Sequence, residues 1–217
     1  MIKPFTKATL GLVVILVGCG GASTTDTNQP SSTSASPTVS VLPPTSSAPP
    51  TEEEQAQALI DRAVDGILEA GSYAMDVEVG LTLGAETIKS ELAGWVDGPD
   101  RELRLRIGET VVVTRVLDGI ATVERGGTVT EVPLAEAEEA PSLELLRFLD
   151  QLELVSTTEI TGVLDSSLLE GGFDTGGAAR AVLHLTGTGE LAGYSLQSSD
   201  NTWSLSVTFS DIGSHFR

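Results

Sequence analysis

The apolar residues that follow position 51 recur first at the helical period and then at the strand period. A capping box of Thr51 and Glu54 predicts the start of a helix, and Gly71 predicts its end. One stripe of this helix must face a core, because its apolar residues recur three and four positions apart. The stripe consists of Leu59, Ile60, Ala63, Val64, Ile67 and Leu68.

Alternation of apolar and polar residues after Gly71 predicts a series of strands. The clearest are residues 73–83 and 202–210, where every second residue is apolar, so that one face of each strand is dry. Turn sequences such as Asp-Gly-Pro and Asp-Gly separate the strands. The other predicted strands are residues 88–96, 101–107, 111–117, the two arms of a hairpin around Gly126 and Gly127, and residues 159–164, 181–186 and 191–197.

A second helix is predicted in the sequence PSLELLRFLDQLELV, residues 141–155. Pro141 and Ser142 suit a helix start, and leucines then repeat on one face. A short helical turn near residues 166–169 and a glycine-rich loop through Gly171, Gly172, Gly176 and Gly177 precede the last three strands. The apolar face of the second helix consists of Leu143, Leu145, Leu146, Phe148, Leu149 and Leu152.

Many consecutive antiparallel strands with two substantial helices predict an α+β domain over residues 52–217. We expect a strongly curved antiparallel sheet, an open β-barrel, whose concave apolar face is covered by the helices. Such a sheet has an interior. Either its own side chains or a ligand fill that interior, and the periodicity leaves both open.

The only cysteine of the chain, Cys19, lies where an apolar run ends and a polar run begins. Lys3 and Lys7, followed by an apolar run too short to span a bilayer stably, predict a signal peptide over residues 1–18. The sequence LVGC resembles the lipobox of bacterial lipoproteins, which implies acylation of Cys19 and cleavage before it. Two or three acyl chains give lasting attachment, since each buried methylene contributes about 0.8 kcal/mol. The alternative is an idle thiol behind an uncleaved helix.

Residues 19–51 form a segment composed mostly of Ser, Thr and Pro. Because this composition cannot bury enough apolar surface to offset the entropy of ordering, we expect a disordered tether behind Cys19. Its prolines favour extended polyproline conformations, which hold the domain away from the membrane.

The charge of the chain excludes several classes of partner. The chain has 12 Lys+Arg and 31 Asp+Glu. Loss of Lys3 and Lys7 with the signal peptide leaves 10 Lys+Arg and 31 Asp+Glu, a net charge of −21. This surface repels nucleic-acid phosphates and anionic head groups, so we expect no nucleic acid and no direct adsorption to an anionic leaflet. Solubility outside the cell explains the acidity, and a basic protein partner is the alternative.

Side chains that carry catalytic or metal chemistry are scarce. One cysteine excludes an intrachain disulfide and a zinc site built on thiolates. His184 and His215 are the only histidines, and no G-x-S-x-G nucleophile motif occurs. We therefore expect no enzyme, no cofactor and no metal site, and we interpret the carboxylates as a solvated surface.

The order of segments resembles the LolA-like lipoprotein-carrier superfamily, and most closely the actinobacterial LppX/LprAFG-type lipoproteins. The resemblance lies in the pattern of lipobox, tether, helix and strands, including SYAMDVEVGL, GWVDGPDRELRLRI, VLDGIATVERGG, GELAGYSLQ and WSLSVTFSDIG. It implies an open barrel with a hydrophobic cavity for acyl chains of lipids or lipoproteins, in a carrier, sensor or chaperone outside the cytoplasm. It supplies no catalytic residues.

The apolar faces of the predicted elements supply the candidates for the lining of this cavity. For each candidate, ordinary core packing is the alternative. The same alternative exists for the whole chain, as a protein-interaction or sensor module with a filled barrel. The candidates are Tyr73, Val77, Leu81, Leu105, Ile107, Leu196, Trp203, Leu205 and Val207, with Leu146 and Leu149 as a lid.

Overall fold

The computed structural model describes residues 49–137, 140–169 and 177–216. The expected signal peptide, Cys19 and all but the last three residues of the tether lie outside the described residues. So does most of the predicted glycine-rich loop. The three described tether residues, Pro49, Pro50 and Thr51, are exposed.

Helix α1 (Glu52–Ala70) confirms the first predicted helix. The hydroxyl of Thr51 accepts a hydrogen bond from the N–H of Glu54 at 3.2 Å, and the N–H of Thr51 donates to the carboxylate of Glu54 at 2.7 Å. Both bonds of the predicted capping box therefore form. Gly71 ends the helix at a φ of 68°, a left-handed conformation that glycine adopts without strain.

The strands within the described residues form one antiparallel sheet, and the predicted strands are confirmed with small shifts at their ends. Gly126 and Gly127, at φ of 59° and 80°, form the tight turn of the predicted hairpin. The strands are β1 (Ser72–Leu83), β2 (Glu86–Asp97), β3 (Asp100–Ile107), β4 (Thr110–Leu117), β5 (Ile120–Arg125), β6 (Thr128–Val132), β7 (Asp150–Ser156), β8 (Glu159–Asp165), β9 (Ala178–Leu185), β10 (Leu191–Ser198) and β11 (Trp203–Ser210).

The strand order is β6-β5-β4-β3-β2-β1-β11-β10-β9-β8-β7. Each strand pairs with its neighbour in sequence, except that β1 pairs with β11 in the middle of the sheet. The two edges are β6 and β7, which are consecutive in the chain and do not pair with each other. The sheet is therefore an open barrel rather than a closed one.

Two glycines mark where neighbouring strands approach too closely for a side chain. A Cβ at Gly94 in β2 would collide with the carbonyl oxygen of Glu102 in β3. A Cβ at Gly193 in β10 would collide with the carbonyl oxygen of Val207 in β11, and the pairing of β10 with β9 shifts register at Gly193. Glycines and register shifts of this kind let strands bend, which the curvature of an open barrel requires.

The core lies between α1 and one face of the sheet, which we call the inner face. Ile60, Val64 and Ile67 of α1 are buried there against alternate residues of β1 and its neighbours. Leu68 departs from the predicted stripe, because it is 47% exposed. Helix α1 packs on β1, β10 and β7, and therefore on the half of the sheet that runs from β1 to the β7 edge.

The second predicted helix is wrong. Residues 143–148 form only a 3₁₀ helix (Leu143–Phe148), Phe148 is 61% exposed, and the rest of the segment is strand β7. At Gln151 the backbone has a φ of 53°, which breaks any continuing helix. Beyond it, Leu154 pairs with Ile160 of β8, so the second part of the segment is a strand. The short turn predicted near residue 166 is present as a 3₁₀ helix (Ser166–Leu168), and another lies at Leu134–Glu136.

Candidate functional site

The inner face has two parts that differ in what lies over them. We call β1 and β7–β11, with α1 packed on them, the covered half. We call β2–β6 the open half. The strand pairing is continuous across both halves, so the same alternation of residues points to the inner face in each.

In the covered half the candidate residues form a packed core. Val77 of β1 pairs with Val207 of β11, which pairs with Tyr194 of β10. This row continues to Leu183 in β9 and Ile160 in β8. Eight of the sequence candidates are buried in this half, at 1–8% exposure: Tyr73, Val77, Leu146, Leu149, Leu196, Trp203, Leu205 and Val207.

An aromatic cluster lies inside this core. The ring of Phe209 lies 5.7 Å from that of Tyr73, edge to face, and 6.2 Å from that of Tyr194. Burial raises the pKa of both tyrosines above the ordinary value of 10.0, and for Tyr194 the neighbouring Tyr73 raises the pKa further. Both phenols therefore stay neutral, as a dry interior requires.

The candidate lid residues are Leu146, in the 3₁₀ helix, and Leu149, directly after it, and this helix is joined to α1 by ion pairs. Arg147 lies between three carboxylates, at 2.6 Å from Asp65, 2.7 Å from Glu144 and 3.3 Å from Asp61. The hydrogen bond with Asp65 raises the pKa of Arg147 above its ordinary value. The ion pairs with Asp61 and Asp65 hold the 3₁₀ helix against α1.

The open half is different. The three remaining candidates are only half-buried: Leu105 and Ile107 lie in the open half, and Leu81 lies at the end of β1 that borders it. Leu81 pairs with Ile88, and Leu105 pairs with Leu92 and Val112, so these side chains form an apolar surface on both sides of the buried Ser90. We call it the inner patch and define it as Leu81, Ile88, Leu105, Ile107, Val112 and Val123, all half-buried on the inner face.

The inner patch adjoins the packed core and has polar groups both within it and at its rim. Leu81 and Leu105 pack against the main core, which includes Leu92 and Leu103 of the open half. Two buried hydroxyls, Ser90 and Thr114, lie on the same face, and exposed Arg125 continues the row from Leu105 at the rim. Three members of the patch, Ile88, Val112 and Val123, were not candidates. The sequence could have identified them as candidates, because they lie on the apolar face of predicted strands.

Two pockets open away from the inner patch. One of about 510 Å³ lies at the β3–β4 and β5–β6 turns, between Glu109, Val113 and Glu124. Another of about 250 Å³ lies on the outer face around Gly80, where Glu78, Lys89 and several serine hydroxyls line it. Both linings mix charged and hydroxyl groups with apolar ones, Val111 and Val113 in the first and Val79, Leu196 and Leu205 in the second.

Other site chemistry is sparse in the part of the chain that the structure describes. There, no three His, Cys, Asp or Glu side chains lie close enough to hold a metal ion. His215 is exposed at 3.4 Å from the carboxylate of Asp97, and His184 is exposed on β9. No helix among these residues has the length and apolar content to cross a bilayer.

Comparison with known proteins gives matches of shape and none of sequence. No protein-family model matches the chain, and no curated protein matches it. The crystal structure of LprF from Mycobacterium bovis is similar at 15% identity, over 75% of this chain and 95% of that one, with a TM-score of 0.48. That of the lipoprotein LppX from Mycobacterium tuberculosis is similar at 14% identity, over 75% of this chain and 97% of that one, with a TM-score of 0.50.

At such identities a match shows the fold and nothing about ligands. The match to LppX covers almost the whole of that structure, so it includes the open sheet rather than a fragment of it. The chain has the fold of LppX, and this confirms the LolA-like open barrel that the resemblance to LppX/LprAFG-type lipoproteins predicts.

Proposed function

We propose that this chain is a lipoprotein, anchored through Cys19 on the extracytoplasmic face of the cell membrane, that binds the acyl chains of lipids against the inner patch. The inner patch itself is the observation that carries the proposal. Its half-buried apolar side chains border the packed core on the concave face of the curved sheet. The main contacts of α1 are with other strands.

The energetics of the inner patch favour a hydrocarbon ligand. Apolar surface left in water costs about 25 cal/mol per Å², and the exposed parts of all six side chains of the inner patch add to this cost. An acyl chain that covers them also removes its own methylenes from water, at about 0.8 kcal/mol each. The guanidinium of Arg125, exposed at the rim, offers hydrogen-bond donors for the polar end of such a ligand.

Two observations support the anchor. The sequence before Cys19 has the lipobox pattern, with a basic and then an apolar segment ahead of it. The fold is shared with LppX, which is itself a lipoprotein. Acyl chains on Cys19 would hold the domain at the membrane surface, where lipid ligands are present.

A second candidate function is a protein-interaction or sensor module with no transported ligand. The packing of the covered half favours it, because eight of the eleven cavity candidates are buried against other side chains. In this case the inner patch would be the edge of an ordinary core, and the acidic outer surface would contact the partner.

Native mass spectrometry separates the two functions. The acylated full chain is purified in mild detergent, and any additional bound lipid is identified after solvent extraction. Acyl-chain binding predicts co-purified lipid that is lost in Ile107→Trp, which fills the inner patch, and retained in Val111→Trp, which adds the same bulk on the outer face of the next strand. A chain free of additional lipid, with both variants folded, would support the interaction module.

The anchor has its own test. Cys19→Ala removes the acylated thiol, so the variant should accumulate unprocessed or be released from the membrane. Membrane extraction and processing identical to those of the unmodified sequence would contradict the anchor.

A further inference from the structure

The hairpin of β1 and β2 extends beyond both neighbouring strands. β1 pairs with β11 only as far as Leu81, and β2 pairs with β3 only from Ser90 onwards. β1 and β2 pair with each other up to Leu83 and Glu86 at the turn. We call residues 82–89 the β1–β2 arm. The part of β2 that precedes its first pair with β3 projects by about 13 Å.

The inner side of the arm is apolar and extends the inner patch towards the turn. Leu83 lies on the same side of β1 as Leu81, because the two residues are two positions apart, and Leu81 pairs with Ile88. Leu83 is 63% exposed, more than any other large hydrophobic side chain among the described residues. A single exposed leucine is ordinary on a protein surface, whereas apolar side chains that continue one another out to a projecting tip indicate a contact surface.

The arm is neutral, although the chain is strongly acidic. Its charged residues are Glu86 and Lys89, so the net charge of −21 left after signal-peptide removal belongs to the rest of the chain. That charge repels anionic head groups and a second copy of the chain, and it attracts a basic protein to the acidic surface rather than to the arm. A neutral, apolar tip meets no such repulsion at a lipid bilayer. The bilayer is therefore the partner that fits the arm.

The β4–β5 turn offers a comparison at the opposite end of the sheet, since successive hairpin turns of an antiparallel sheet alternate between its ends. Leu117 and Ile120 flank this turn and are 44% and 55% exposed. The turn itself contains Asp118, whose N–H donates to the carboxylate of Asp100 at 3.0 Å. Pairing with β3 continues to Val116, so this turn does not project as the arm does.

We propose that the β1–β2 arm docks on the surface of a lipid bilayer, with Leu83 among the acyl chains, and delivers lipid along Leu81 and Ile88 to the inner patch. Docking of the arm stands on its own, and the delivery step rests on the proposed acyl-chain binding. An acyl chain on this path moves from one apolar surface to the next, so few of its methylenes meet water. The rate of uptake therefore depends on the arm, and the final occupancy depends on the inner patch.

Fluorescence quenching by membrane lipids tests the docking. Leu83→Cys and the matched control Ile120→Cys each place one free thiol at a turn of the acylated full chain, and the unmodified acylated chain is the blank. Both variants are labelled with an environment-sensitive dye and reconstituted into phosphatidylcholine vesicles that contain a lipid spin-labelled in its acyl chain. The dye at position 83 should be quenched at least ~5-fold more strongly than the dye at position 120. Quenching at position 83 that is no stronger than at position 120 overturns the proposal.

Uptake kinetics test the delivery step, with pyrene-labelled phosphatidylcholine in the same vesicles as the probe. Leu83→Asp places a charge at the tip, so it should slow uptake about 10-fold and reach the same final occupancy as the unmodified chain. Ile120→Asp, at the opposite end, should change neither quantity. Uptake by Leu83→Asp at the unmodified rate overturns the delivery step alone. No uptake by the unmodified chain would contradict acyl-chain binding as well, and the quenching at position 83 would still decide the docking.

Discussion

The covered and open halves of the sheet have the same alternating sequence pattern and different interiors. In the covered half, Val77, Leu205 and Ile160 are buried under α1. In the open half, Leu105 and Ile107 occupy equivalent inward positions and stay half-buried. Alternation therefore decides which face of a strand is apolar. Burial of that face depends on everything that packs over it, since Leu92 and Leu103 of the open half are also buried, although α1 makes its main contacts with the covered half.

Truncation of a large side chain in each half should give the largest contrast. Ile60→Ala empties a fully buried position under the covered half and should lower the free energy of unfolding by about 2–5 kcal/mol. Ile107→Ala in the inner patch removes partly solvated methylenes and should cost about 1 kcal/mol or less. Denaturant titration of both variants measures the difference, and equal losses would show that the inner patch is core.

The close strand approach at Gly94 should give the next largest effect. Gly94→Ala forces β2 and β3 apart, because the new Cβ meets the carbonyl of Glu102, and should destabilise the fold by about 1–3 kcal/mol. The matched control is Gly66→Ala on the exposed face of α1, where nothing lies near the new Cβ; it should stabilise by up to about 1 kcal/mol. Thermal unfolding of the two variants should shift in opposite directions, and a neutral Gly94→Ala would contradict the tight bend.

Alkaline pH should act on the covered half alone, since both tyrosines of the chain lie there. Their pKa values are raised in the fold, so the neutral phenol is favoured. The resulting stability is complete below the unfolded pKa of about 10 and is lost as pH rises above it. Phenolate absorbance should therefore appear together with unfolding. Tyrosine titration near pH 10 in a chain that stays folded would contradict the dry core.

Much of the fold follows from the sequence because its signals are local. The capping box at Thr51 and Glu54, the left-handed Gly71 and the strict alternation of β1 and β11 each depend on near neighbours. The prediction of the second helix was wrong because Leu145, Leu149 and Leu152 have helical spacing, although a strand begins at Asp150. The chain becomes a strand there through its pairing with β8, a partner that the local pattern does not reveal.

The candidate site was less accessible to sequence reasoning. Periodicity identified apolar faces correctly, so every candidate lies on the inner face or in the 3₁₀ helix and its end. It did not distinguish Val207, buried under α1, from Ile107, which α1 leaves half-buried. That difference depends on where a helix lies across a sheet, and therefore on contacts between residues far apart in sequence.

Photocrosslinking with a phospholipid that carries a diazirine at the end of one acyl chain tests the central claim most directly. Mass spectrometry of the labelled full chain locates the modified residues, and excess unlabelled lipid identifies specific labelling. The account predicts competable labels on the inner patch, at Leu81, Ile88 and Ile107, and none on Val111 or Val129 of the outer face. Labels confined to the outer face, or labels that unlabelled lipid does not suppress, would contradict acyl-chain binding at the open half.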